Sequence, residues 1–327
     1  MKRTTWFALS LLLSLTLMVG CINLDFMFHN GVHCSKVSDK NCKDKSYWDK
    51  VCLTCEQSYE FDRKYEWMDG TLKEGETIRP IDKSKVVQYQ VKTKDGEGTL
   101  DAYFIPSHGE VPELAKTTIL YNHGNYGGIE HYMPRLQMLY EAGYNIAVWD
   151  YRGYGKSLPA KFPTQTQFLE DGKQIRDEAA KWVPDAKKII IYAYSLGAIP
   201  ALAMSTHNPG CAMFLEAPFT SARTLVRSGS TANMPEGFFS EGQYNNIEKV
   251  KSYQDPLFLM IGSIDRTFTT RSAKELYDNA PGTKEMWVLE GVDHGLKSGG
   301  VPEAGFTQYK DKMLQFLKTK ALSCITQ

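Results

Sequence analysis

Lys188-Ile189-Ile190-Ile191-Tyr192-Ala193-Tyr194-Ser195-Leu196-Gly197 changes character at its centre. Residues 188–192 form a short apolar run rich in β-branched side chains, the pattern of a strand buried on both faces. Residues 196–205 are small and apolar and read as a helix. Ser195 therefore sits on a sharp strand-to-helix turn. Ala193 and Gly197, two residues to either side, are small, as such a turn requires where strand and helix backbones nearly touch. A serine held there presents its hydroxyl at the end of a sheet and is a candidate nucleophile, although serine also caps helices.

Outward from this turn, strands and helices alternate. Residues 86–93 and 99–105 alternate apolar and polar positions around Asp95-Gly96-Glu97-Gly98, which predicts an antiparallel hairpin. Residues 117–121, 145–149, 211–215, 257–261 and 285–289 read as strands. Residues 130–141, 166–182, 271–279 and 308–318 read as helices. This grammar predicts the α/β class, with a mostly parallel eight-stranded sheet covered by helices on both faces. Residues 220–253 lack strand character and form a short insert.

Four further stretches follow predicted strands. They are Asn122-His123-Gly124-Asn125-Tyr126-Gly127-Gly128, Asp150-Tyr151-Arg152-Gly153-Tyr154-Gly155-Lys156-Ser157, Gly262-Ser263-Ile264-Asp265 and Glu290-Gly291-Val292-Asp293-His294-Gly295. With the Ser195 turn they resemble, in order and context, the motifs of the α/β-hydrolase superfamily over about residues 85–320. The Bem46-like and serine aminopeptidase-like branch is the most similar. Ala193 departs from the usual glycine. The resemblance implies the α/β-hydrolase fold and a triad running serine, acid, histidine along the chain. Of the two histidines after Ser195, His207 falls at a helix end, where a charged imidazole complements the dipole. His294 is then the base. Asp265 is the expected orienting acid, with Glu216 in reserve. Asp293 is set aside because neighbouring side chains diverge. The resemblance further implies the backbone N–H groups of Leu196 and Asn125 as oxyanion donors, and His123 as a support of its loop. Tyr126, Tyr194 and Phe239 are expected to contact substrate. A lid is expected at about 220–253, where Met234, Phe238, Phe239 and Tyr244 either line an acyl pocket or pack the lid itself. No metal and no organic cofactor is implied. The 150–157 loop lacks the G-x-x-x-x-G-K-[ST] spacing of a phosphate loop.

The hydrolase-like region spans residues 81–327. Ahead of it, Lys2 and Arg3 precede an apolar run of roughly 15 residues, short of the ~20 that span a bilayer, and residues 1–20 read as an export signal. Leu17-Met18-Val19-Gly20-Cys21 resembles the lipobox of bacterial lipoproteins, with Met18 where leucine is usual. That resemblance implies a lipid-modified Cys21 carrying palmitate-type chains and a membrane anchor. Ile22 in place of aspartate points to the outer membrane, facing the periplasm or the cell surface. A plain secretory signal is the alternative. Residues 21–80 read as a Cys-rich extension. In an oxidising compartment Cys34, Cys42, Cys52 and Cys55 predict disulfides, in any of 3 connectivities. A Cys52–Cys55 redox pair, or zinc held with His29 and His33, are competing readings. Cys211 reads as a core thiol. Lys plus Arg equals Asp plus Glu at 38 each, so charge makes no case for nucleic acid or an acidic surface as partner.

The expected activity is cleavage of an ester, thioester or amide in a small-molecule, acyl or peptide substrate through an acyl-enzyme, carboxylesterase-like in the first instance. Serine peptidase activity, or a non-catalytic lipoprotein using the fold for binding, are the alternatives. Dehalogenase and epoxide hydrolase chemistry on this fold uses an aspartate nucleophile, which Ser195 excludes.

Overall fold

Charge-free runs of isoleucine, leucine and aromatic residues build the centre of the molecule. A computed structural model of the chain describes residues 28–36, 53–63, 75–222, 224, 244–294 and 305–325. The strands are β1 (Asn30–Gly31), β2 (Val87–Lys92), β3 (Thr99–Ile105), β4 (Thr118–Asn122), β5 (Tyr126–Gly127), β6 (Asn145–Trp149), β7 (Ile189–Tyr194), β8 (Ala212–Glu216), β9 (Leu257–Gly262) and β10 (Lys284–Leu289). Eight of them form one sheet in the order β10-β9-β8-β7-β4-β6-β3-β2. β3 alone runs opposite in direction to the other seven strands. Every residue of β4, β6, β7, β8 and β9 is buried. That double burial explains why these strands read as continuous apolar runs rather than alternating ones. The edge strand β2 is mostly exposed.

The helices are α1 (Ile129–Glu141), α2 (Gln165–Trp182), α3 (Ala198–His207), α4 (Asn246–Val250), α5 (Thr270–Asn279) and α6 (Phe306–Lys320). A reciprocal cap between Thr164 and Gln167 starts α2. The architecture is the α/β-hydrolase arrangement, a mostly parallel sheet with helices on both sides. The chain leaves β4 for β6 on one side and later returns to β7 on the other. The reversal opens a crevice at the carboxyl ends of these strands.

Most elements fall within one or two residues of the sequence expectation. The helix expected from Leu196 instead begins at Ala198, because a 3-10 turn takes up Ser195–Gly197 first. The disulfides differ more. Cys34 bonds Cys55, so neither sulfur is left for zinc or for a Cys52–Cys55 pair. Cys211 is not a core thiol; it bonds Cys324 across 113 residues, a separation that leaves no local mark in the sequence. Cys42 and Cys52, the leader and Cys21 lie outside the described residues.

The N-terminal extension packs into the main body. Phe28, Tyr59 and Phe61 belong to the same hydrophobic core as the sheet, and β1 pairs in parallel with β5. His29 is buried with Tyr154, Phe162 and Phe168 around it. Burial pushes its pKa down to about 3 from 6.5. The unfolded chain therefore takes up a proton below pH 6.5 that the folded chain refuses. Stability is lost as pH falls through that window, by at most about tenfold in the folding constant per pH unit. His29→Phe is expected to flatten the decline of Tm between pH 7 and pH 4. Parallel Tm curves for variant and wild type would contradict this.

Candidate active site

The site begins with a backbone constraint. At the end of β7 the chain turns so tightly that Ser195 adopts φ 53, a region L-residues rarely enter. The turn brings Gly197 against β4, where a Cβ would collide with the carbonyl oxygens of Asn122 and His123. Only glycine fits. Phe219 N–H donates to the Ser195 carbonyl at 2.9 Å and closes the turn from the β8 side.

Gly262 makes the second close approach. A side chain there would strike the Val292 carbonyl, so the loop after β10 can pass directly over the end of β9. That crossing brings His294 to Asp265. His294 Nδ1 lies 2.8 Å from Asp265 Oδ2 and its Nε2 lies 3.0 Å from Ser195 Oγ. Asp265 is held by the backbone N–H groups of Thr267 and Phe268, both donating to Oδ1 at 2.8 Å. With Oδ2 an acceptor, the imidazole carries its proton on Nδ1 and leaves Nε2 to accept from Ser195. Tyr194 stacks on one side of the ring and Phe268 meets it edge-on. The arrangement can take the Ser195 proton as the oxygen attacks a carbonyl, with Asp265 stabilising the imidazolium.

The loop after β4 lies beside this group. His123 is fully buried, stacks on Tyr151 at 3.9 Å and accepts the Tyr151 hydroxyl on its carbonyl. Asp150 in turn accepts from Ile129 N–H and from the Tyr59 hydroxyl. The Asn125 side chain is fixed by Asn30 N–H and the Tyr154 hydroxyl. Among the described residues, none accepts from the Asn125 backbone N–H. Leu196 N–H belongs to the first turn ahead of α3, where amide donors lack helical partners.

The remaining sequence candidates take different places. Glu216 is not beside His294. It is buried and paired with Arg135, with the Tyr192 hydroxyl donating to it at 2.6 Å. Tyr194 is 3 % exposed and its hydroxyl donates to the His294 carbonyl at 2.6 Å. The Arg135 guanidinium lies 4.0 Å from its ring centre. Tyr126 is half-buried on β5 against His131. Tyr244 packs on Phe28 and Phe219. Phe239, Met234 and Phe238 lie outside the described residues, with most of the expected lid. His207 ends α3 and meets Asp177 at 2.9 Å. Asp293 accepts His294 N–H and pairs with Arg266. Arg135 and the β1 segment were missed by sequence reasoning. A lone arginine inside an apolar helix was the available signal for the first. Two residues of strand give none for the second.

Comparison with known proteins bears on the family resemblance and the fold. Residues 113–236 match the family described as Hydrolase_4: Serine aminopeptidase, S33. The chain is similar to the uncharacterized protein YfhR of Salmonella typhimurium, 27% identical over 238 residues that cover 69% of this chain and 79% of the other. It is also similar to the protein bem46 of Schizosaccharomyces pombe, 31% identical over 141 residues, 42% of this chain and 46% of that one. Among solved structures, the Pyrococcus furiosus esterase Pf2001 superposes with a TM-score of 0.57 at 24% identity, over 71% of this chain and 90% of that chain. The propionate-bound esterase Est2 of Thermogutta terrifontis gives 0.52 at 14% identity, over 74% and 96%. These two likenesses are of fold.

The buried pair yields a stability test. Glu216→Ala leaves the Arg135 guanidinium uncompensated, and about 3–5 kcal/mol of stability should be lost. Urea unfolding reads this directly. A loss below about 1 kcal/mol would show that the charge is not buried as described.

Proposed function

We propose that the chain is a serine hydrolase of the α/β-hydrolase superfamily, with Ser195 as nucleophile, His294 as general base and Asp265 as orienting acid. The observation that carries this reading is the continuous hydrogen-bonded line Ser195 Oγ, His294 Nε2, His294 Nδ1, Asp265 Oδ2, assembled from three different strand ends. Ser195 attacks the carbonyl carbon of an ester, thioester or amide while His294 accepts its proton. The same proton then goes to the leaving group, and water releases the acyl-enzyme by the reverse route. The N–H groups of Leu196 and Asn125 would stabilise the oxyanion.

Carboxylesterase-like activity is the preferred reading, in line with the fold likeness to two proteins described as esterases. Peptidase activity is the second, favoured by the family match described as serine aminopeptidase. We also propose that the protein is exported and anchored through lipid at Cys21. The leader supports this, and the Cys34–Cys55 and Cys211–Cys324 bonds suit an oxidising compartment.

A fluorophosphonate probe should label the wild-type protein, and Ser195→Ala should abolish both labelling and turnover. Equal labelling of the variant would reject the nucleophile. Asp265→Ala should lower kcat by about 10³–10⁴-fold. Nitrophenyl esters of graded chain length, run beside aminoacyl anilides, separate the esterase from the peptidase reading.

A further inference from the structure

The N-terminal extension reaches the loop that carries Asn125. Strand β1 lies alongside β5, with Asn30 opposite Tyr126 and Gly31 opposite Gly127. On its other side it is tied to the 150–157 loop. Gly155 N–H donates to Val32 O at 2.9 Å and Cys34 N–H donates to Gly155 O at 2.8 Å. Gly31 rests on the face of Tyr154, where a Cβ would have no room. Two donors meet on one atom here. Asn30 N–H and the Tyr154 hydroxyl both donate to Asn125 Oδ1 at 2.7 Å. His29 Nδ1 lies 2.9 Å from the same hydroxyl. With that hydroxyl's proton directed at Asn125, a neutral His29 must donate from Nδ1. The line His29 to Tyr154 to Asn125 is therefore directional. Downstream, the Cys34–Cys55 bond joins β1 to a segment that is itself fixed, since the Tyr59 hydroxyl donates to Asp150 and Lys156 Nζ donates to Gln57 O.

We propose that this extension is a working part of the active site: β1 and Tyr154 position Asn125 as an oxyanion donor, and the Cys34–Cys55 disulfide holds β1 in place. The proposal rests on the serine hydrolase reading above. A backbone N–H stabilises an oxyanion only if it is aimed before charge develops. The side chain of Asn125 fixes the peptide unit that carries that N–H; Asn30 and Tyr154 bond it directly, and His29 bonds Tyr154. His29, Asn30 and Tyr154 are positioning residues, since none of them touches Ser195 or His294 among the contacts described.

Two full-length variants test this, Tyr154→Phe and the double variant Cys34→Ala/Cys55→Ala. The first removes one hydroxyl and keeps the ring under Gly31. The second keeps every residue of β1 and removes only its staple. On whichever ester the wild type turns over, each should lower kcat about tenfold or more with KM within about twofold. Affinity for a boronic acid, which mimics the tetrahedral adduct, should fall by the same factor as kcat. General loosening would not produce that parallel fall at constant KM. If the wild type is active and both variants keep kcat and boronate affinity within twofold, the positioning role is wrong. A rise in KM with kcat unchanged would also overturn it and make β1 a substrate-binding wall. A wild type that neither turns over an ester or anilide nor reacts with the fluorophosphonate would instead remove the hydrolase reading itself.

Discussion

The first turn after β7 runs so close to the end of β4 that Gly197 faces the carbonyl oxygens of Asn122 and His123 with no space for a side chain. Much else follows from this contact. In the same turn Ser195 takes a left-handed conformation, and its hydroxyl meets His294 Nε2. The contact also brings the amide after Ser195 near the loop that follows β4. The two proposed oxyanion donors, the N–H groups of Leu196 and Asn125, come from these two segments. The strain at a non-glycine residue with positive φ is of order 1–3 kcal/mol, and it persists because fully buried strands on both sides leave the turn no alternative.

The histidine side of the site depends on a similar device at Gly262 and on packing beneath it. Tyr194 donates its hydroxyl to the His294 carbonyl, and its ring contacts both the imidazole and the Arg135 guanidinium. Arg135 is in turn neutralised by Glu216, whose second oxygen accepts from Tyr192. A buried ion pair is a poor source of net stability. Here it supplies a rigid polar floor under an otherwise aromatic layer, one ring away from the proposed base.

How much of this was legible in the sequence follows from how local each signal was. Strands such as 189–194 announce themselves by continuous apolar runs, because burial on both faces removes every polar position. Ser195, Asp265 and His294 could be named because each follows a recognisable strand, and the structure brings their side chains together. Glu216 satisfied the same rule and was a reasonable reserve. Its actual partner, Arg135, lies on a helix 81 residues earlier, which no spacing reveals. Tyr194 stacks on His294 and donates to its carbonyl, a contact across 100 residues that no spacing reveals. The pairing of β1 with β5 and the Cys211–Cys324 bond are long-range and lack periodicity.

Phe28 packs against Phe219 and Tyr244. Phe219 N–H also closes the turn that carries Ser195. Phe28 is therefore one ring removed from the turn that carries Ser195. Between Cys21 and Phe28 there are seven peptide links (28 − 21 = 7), which reach at most about 25 Å when fully extended. The lipid proposed at Cys21 would be kept within that radius of Phe28 by the length of the chain alone.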